Sequence, residues 1–381
     1  MKDIYELLND INIDENEFEE MEVSELEKAK VKNRLRKSIN KKRKMKSWKK
    51  TVAVASIVVG LSATALGLTF PAYAKNIHMI EDIFRFFDNG RTENSITSNN
   101  VKDEEKGLYY DYKKFSNEIN ITKESNGVKI TVNDAVFDGK TVSITYSIEG
   151  EQDLGENALI DSPNIEGFGA MGGSGKTTRI DKNNYVGILT LSNLEETKLD
   201  IANIKWDIES IQNIDNQTEI KGDWNFDFSL KAVDSTMQLS ESSSEQNGVK
   251  VNIGKISVTP MSFIVYYDQV VSEKVRNKWH GVDVDIKIKD DLGNSYSGEG
   301  NGGSGDSEGY KMSWSKTFEK LDQNATKLII TPHITLREYT SDNFGSVEIT
   351  KDGPKEIPIP KKSGKGKEEF VLEDIIIKLK K

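Results

Sequence analysis

The stretch Ala170–Thr178, AMGGSGKTT, places glycines, a lysine and a threonine where a phosphate-binding loop would need them. In such a loop successive backbone N–H groups and the first turn of a helix hold the phosphate oxygens. The chemistry therefore requires a strand before the loop and a helix after it. Here Ala170 stands in place of the first glycine, and the chain runs on into RIDKNNYVGILTLSN. Val186, Ile188 and Thr190 recur at period two while Leu189 and Leu191 face the other way, which predicts a strand buried on both faces. A second Gly-Gly-Ser-Gly at Gly302–Gly305 is followed by Asp306 where the lysine stood. Both stretches are expected to be glycine-rich hairpins or interstrand loops, with Lys176 not a nucleotide ligand.

Other chemistry is sparse. The chain has no cysteine, so disulfides and thiolate metal sites are excluded, and its three histidines (His78, His280, His333) stand far apart. Asp283–Asp291, DVDIKIKDD, offers carboxylates without the spacing or glycine of a calcium loop. Val282, Val284, Ile286 and Ile288 alternate with its charges, so it is expected to be a strand with a solvated face. Asp181–Asn184 is only loosely acidic. No carboxylate pair is nominated for hydrolysis. A non-enzymatic protein without cofactor or metal is expected.

The elements around these residues are β-strands. Val128, Ile130 and Val132 alternate with polar residues, and after the Asp138-Gly139 turn Val142, Ile144, Tyr146 and Ile148 do the same, a hairpin pattern. NGVKITVNDAVFDGKTVSITYSI from Asn126 is echoed by NGVKVNIGKISVTPMSFIVYYDQ from Asn247. One architecture used twice follows, with the serine-rich Ser240–Gln246 as the joint and FVLEDIIIKL as the last strand. The expected fold is mainly β: two immunoglobulin-like antiparallel β-sandwich domains, residues 118–235 and 245–381.

Charge divides the rest of the chain. Residues 1–31 carry eleven acids and three bases, and residues 32–50 carry eleven bases and no acid. Thr51–Phe70 then runs without a charge, and as a helix spans about 30 Å, enough to cross a bilayer. The basic block before it places residues 1–50 in the cytoplasm and the sandwiches outside a cell membrane crossed once. Ala72–Ala74 would suit signal cleavage, but fifty residues before the apolar run favour a retained anchor. Residues 75–117 are expected to form an amphipathic helix near the outer leaflet (Ile77, Met79, Ile80, Ile83, Phe84, Phe87) and a linker.

The cytoplasmic segment, residues 1–46, holds two short helical patterns. Ile4, Leu7, Leu8 and Ile11 share one face, and Ser24 with Glu27 forms a capping box before a helix carrying Leu26, Val31 and Leu35. These seven residues are the candidate partner-binding face, since the segment alone buries too little to cover them. The acidic surface around Asp10–Glu22 suits a basic partner, such as a protein that itself binds DNA or RNA polymerase; direct nucleic-acid binding is not expected. The basic block faces anionic lipid of the bilayer.

VSELEKAKVKNRLRKSI, the single anchor, FPAYAKNIHMIEDIFRFFD and the first β segment together resemble the membrane-bound anti-sigma-factor-like proteins of Gram-positive bacteria, in which an uncharacterised exterior domain follows the anchor and a second sandwich often ends the chain. The resemblance implies sequestration of an extracytoplasmic-function sigma factor by the cytoplasmic helices, with release triggered outside, through a membrane protease or a cell-wall component. The zinc-type anti-sigma motif is missing, because residues 1–50 hold neither histidine nor cysteine. The alternative is an envelope structural or adhesive protein whose sandwiches bind wall polymer or protein.

Overall fold

Val128, Ile130 and Val132 are fully buried and the residues between them half-exposed, the period of a strand with one face in a core. The computed structural model describes residues 80–88, 107–156, 158–195, 199–306, 310–341, 343–344, 347–350, 353–356 and 358–380. The expected partner-binding face Ile4, Leu7, Leu8, Ile11, Leu26, Val31 and Leu35 and the expected span Thr51–Phe70 lie outside these residues. Among the described residues no helix is long and apolar enough to cross a membrane.

A short helix, α1 (Ile83–Asp88), and a strap containing a 3-10 turn (Tyr112–Lys114) precede the first sandwich. The sandwich comprises β1 (Asn117–Ser125), β2 (Val128–Phe137), β3 (Thr141–Gly150), β4 (Ala158–Ile160), β5 (Asn164–Glu166), β6 (Met171–Arg179), β7 (Asn184–Asn193), β8 (Ile201–Asn213) and β9 (Thr218–Lys231). One sheet runs β1-β2-β3-β7-β6; in the other, β8 pairs with β4, β5 and β9. Every pairing is antiparallel.

The second sandwich begins with β10 (Thr236–Gln246), β11 (Val249–Val258) and β12 (Ser262–Val271), followed by α2 (Glu273–Lys278). β13 (Gly281–Asp290), β14 (Ser295–Tyr296), β15 (Gly298–Gly305), β16 (Lys311–Glu319) and β17 (Lys327–Arg337) come next. A small hairpin, β18 (Val347–Thr350) with β19 (Gly353–Glu356), leads to β20 (Lys367–Val371) and β21 (Ile375–Lys378). Its first sheet runs β10-β11-β12-β16-β15, and in its second β17 pairs with β13, β20 and β21. The five-stranded sheet repeats that of the first sandwich strand for strand, and the second sheet again gathers its strands on one central strand.

The duplication reaches fine detail. β-Bulges interrupt β1 against β2 and β2 against β3, and their counterparts fall 121 residues later (118 and 239, 132 and 253). Asn126-Gly127 and Asn247-Gly248 both have positive φ, 49° and 76° against 53° and 78°. That conformation at two successive residues makes the tight hairpin turn that Asn-Gly favours. The turn joins the first strand to the second in each unit, so Ser240–Gln246 is not a joint. It lies in β10, paired with β11, and the joint is the four residues Ala232–Ser235 between β9 and β10. FVLEDIIIKL is likewise two strands, β20 and β21, both laid along β17.

Each sandwich closes over its own core. In the first, Trp206 meets Phe226 of its own sheet at 5.9 Å and Tyr146 of the facing sheet edge-on at 5.6 Å. The second is centred on Phe263 and Phe318, stacked at 5.2 Å, with Ile286, Leu328 and Ile330 from the facing sheet. Tyr146 stands opposite Gly187 on β7, where a Cβ would fall 2.0 Å from the ring; only glycine leaves room for it.

Candidate functional site

The residues first nominated for chemistry prove structural. AMGGSGKTT becomes β6, the outermost strand of its sheet, and the second glycine stretch becomes β15 in the same place. Both are edge strands, where hairpins or loops were expected. β7 follows β6 as foreseen: Leu189 and Leu191 face the core, while Val186 and Ile188 face the opposite side. Lys176 lies 5.7 Å from the Phe87 ring centroid. Asp283 pairs with Arg337 and Asp285 with Lys316, each at 2.6 Å, on the solvated face of β13. Asp290 is held by Asn294 and Tyr296, and Asp291 by Thr326. Asp181 accepts hydrogen bonds from Asn183 and Asn184 within its own turn. His280 stacks on Tyr339 and its Nε2 lies 2.7 Å from the Pro360 carbonyl. Among the described residues no group of acids and histidines could hold a metal.

The arrangement with a functional geometry is the junction of the two sandwiches. α1 was expected at the outer leaflet, but Ile83, Phe84, Phe86 and Phe87 are buried against protein. They pack with Leu108, Tyr109 and Tyr112 of the strap on Val136, Val186 and Ile188 of the first sandwich and Met261 of the second. An amphipathic helix offers the same stripe to a lipid or to a sheet, and here the sheet takes it. The Asp88 carboxylate closes the wedge by accepting from Gly107 N at 2.9 Å and Tyr109 N at 2.6 Å. Burial raises its pKa, and these two N–H groups partly offset that rise.

Two polar contacts tie the strap to the second sandwich. Tyr109 donates to Glu299 of β15 at 2.7 Å. Burial, then the Glu299 carboxylate, push the Tyr109 pKa far up, so the phenol stays protonated. Asp111 pairs with Lys320 at 3.3 Å and with Lys114. Burial opposes its ionisation, but the two ammonium groups outweigh it and hold the pKa below the usual range.

The sandwiches also touch directly, and here the glycines have their use. A Cβ on Gly172 of β6 would lie 2.8 Å from the Asn301 carbonyl and 3.0 Å from Leu194 Cδ2, and Gly302 of β15 approaches the same point. The two glycine edges cross backbone to backbone. Gly172→Val is expected to force them apart at a cost of about 1–3 kcal/mol. Calorimetry of the variant should then resolve two unfolding transitions; one unchanged transition would show that the crossing does not couple the sandwiches.

The turn between β2 and β3 completes the junction. Asp138 is 3% exposed and caps its own turn, accepting from Lys140 N at 2.8 Å and Thr141 N at 2.6 Å. Burial pushes its carboxyl up to about 6 against the pull of these amides. The Lys140 ammonium reaches across to the Tyr266 ring of β12, 5.5 Å from its centroid. Sequence reasoning found the Asp138-Gly139 turn but not the buried carboxylate. Tyr109, Asp111, Glu299 and Lys320 carried no local signal, because they meet only in the assembled junction.

Fold and junction define a class: a tandem β-sandwich protein, built by duplication, whose leading segment is wedged between its two halves. The chain belongs to the family of a conserved domain protein from Bacillus anthracis whose crystal structure is known, with 46% identity, a TM-score of 0.66, and coverage of 78% of this chain and 99% of that one. Residues 42–150 match a domain of unknown function (DUF4179), and residues 234–379 match a second family of unknown function (DUF5643). No curated protein matches the chain.

Proposed function

We propose that this is a single-pass membrane anti-sigma factor, with its cytoplasmic helices sequestering an extracytoplasmic-function sigma factor and two immunoglobulin-like sandwiches sensing or anchoring outside the cell. One observation carries the reading. The segment that follows the expected anchor is neither a free stalk nor bound only to the nearer sandwich; α1 and the strap are wedged against both. Any exterior event that parts the sandwiches must therefore act on the chain leading to the membrane. The DUF4179 match agrees with this coupling, since one family unit spans the basic block, the apolar run and β1–β3. The acidic and then basic helices of the cytoplasmic segment supply the other end.

The test lies inside the cell. Leu7→Glu with Leu8→Glu is expected to release the sigma factor and raise expression from its target promoter to the level of a strain lacking the protein, with the chain still in the membrane fraction. Residues 1–46 fused to a carrier should capture the sigma factor, and the double variant should lose it. Continued repression in the variant would refute the proposed face. A strain deleted for residues 1–30 with unaltered transcription would move the assignment to an envelope adhesive or structural protein.

A further inference from the structure

We propose that the Asp138 turn is a proton-operated latch, in which protonation of its carboxylate tightens the packing of strap and joint and ionisation loosens it. The inference adds a regulatory input to the anti-sigma reading and rests on it for its biological sense, although the latch is a property of the exterior sandwiches alone.

The geometry comes first. The turn sits where four pieces of chain converge. On the strap side is Tyr112, 3% exposed, whose pKa is raised by burial first and then by the charge of Asp138. On the joint side, Val233 N donates to the Phe137 carbonyl at 2.9 Å, and Ala232 Cβ lies 4.0 Å from the position of a Cβ on Gly139. The Leu199 carbonyl closes a third side at the same distance. The second sandwich is reached through Lys140 and Tyr266.

Within this cage the carboxylate has two backbone N–H donors and, among the described residues, no ion pair. The titratable groups acting on it are Lys140, whose charge favours ionisation from its own turn, and Tyr112 on the strap, neutral because burial raises its pKa far above the usual range. The Lys140 ammonium is directed to the Glu195 carbonyl, 3.4 Å away, and to the Tyr266 ring. A carboxylate taken out of water without a partner cation disfavours its charged form.

The direction follows from linkage. The folded carboxyl titrates near 6, above the 3.8 of an exposed one. Its stabilising contribution is therefore full below 3.8 and is lost as pH rises through about 6. Opening that exposes Asp138 to water becomes easier by about 30-fold between pH 4.5 and pH 8. An acidified exterior holds the wedge in place, and a neutral one eases its release.

The experiment is hydrogen exchange by mass spectrometry on the full chain in detergent micelles, from pH 4.5 to 8, corrected for intrinsic exchange. Strap residues 107–116 should lose about 30-fold of their protection with a midpoint near pH 6, in the wild type. Asp138→Asn keeps an acceptor oxygen for the Lys140 and Thr141 amides and removes the charge. The variant should remain protected at its acid value throughout. A flat wild-type profile would overturn the latch without recourse to any variant. A pH-dependent profile that survives in Asp138→Asn would overturn it too, by assigning the titration elsewhere. Neither result bears on sigma-factor capture by residues 1–46, so the two readings fail separately.

Discussion

Trp224→Ala should destabilise the first sandwich by about 3–5 kcal/mol, the range for emptying a buried aromatic site. Trp224 is fully buried on β9, and its indole Nε1 donates to the Val128 carbonyl on β2 at 2.9 Å, so it fastens the two sheets together. Gly222 lies against the same ring, where a Cβ would stand 2.2 Å from Cη2. Truncation would leave a cavity and take one hydrogen bond from the Val128 carbonyl, and the second term adds about 0.5–1.5 kcal/mol of its own. Trp224→Phe separates the two by restoring most of the volume without the donor, and should lose only about a third to a half as much. Urea unfolding followed by tryptophan fluorescence and circular dichroism measures both. Equal losses for the two variants would mean that the hydrogen bond, and not the volume, holds the sheets together.

Phe84→Ala is expected to act as strongly but on a smaller piece of the molecule. Phe84 is fully buried, with its ring 5.6 Å from Tyr112 and 6.4 Å from Tyr109. Its removal costs about 3–5 kcal/mol. A six-residue helix and a short strap owe their order to packing on the sandwiches, and Phe84 lies at the centre of that packing. The wedge should detach while both sandwiches stay folded. Hydrogen exchange would show strap amides losing protection while those of β2, β3 and β12 keep it. If β2 and β3 lost protection with the strap, the wedge would be part of the first sandwich's folding unit and unable to act as a separable signal. Under the proposed anti-sigma function, the variant should derepress the target promoter in cells without any change to residues 1–46.

The sequence shows its periods and its turns, and these carried most of the β architecture. Asp138-Gly139 and the alternation of β2, β3 and β13 are local signals, and each stands as a hairpin or strand where the residues indicate. The two Asn-Gly pairs mark only the start of a unit in the sequence and are hairpin turns in the structure. The same holds for β7, whose two faces were separable by counting. Ser240–Gln246 misled because an edge strand with one solvated face and one free edge has the composition of a linker. Only its pairing to Ile253–Val249 tells the two apart. The glycine runs misled in the opposite sense, since glycine weakens a strand on its own terms and is tolerated here because another backbone passes against it. The junction was not legible at all. Asp138 and Tyr109 owe their properties to residues more than ninety positions away, such as Ala232 and Glu299, which no local window connects. The proposed sigma-factor face is the reverse case: its stripe is plain in the sequence and lies outside the described residues.

The crossing of the two glycine edges has a further consequence for how long an opened molecule could persist. β6 and β15 are each the last strand of a five-stranded sheet, pairing on one side only, and Gly172 and Gly302 bring them together. Outer strands of this kind, free of proline and guarded only by Lys176, Arg179 and Glu299, are templates for the strands of other molecules. Parting the sandwiches would uncover both at once, in every copy that opened. Neighbouring copies would then be driven to pair edge to edge. Opening would become self-propagating at high protein concentration, and a sparse population would close again unharmed.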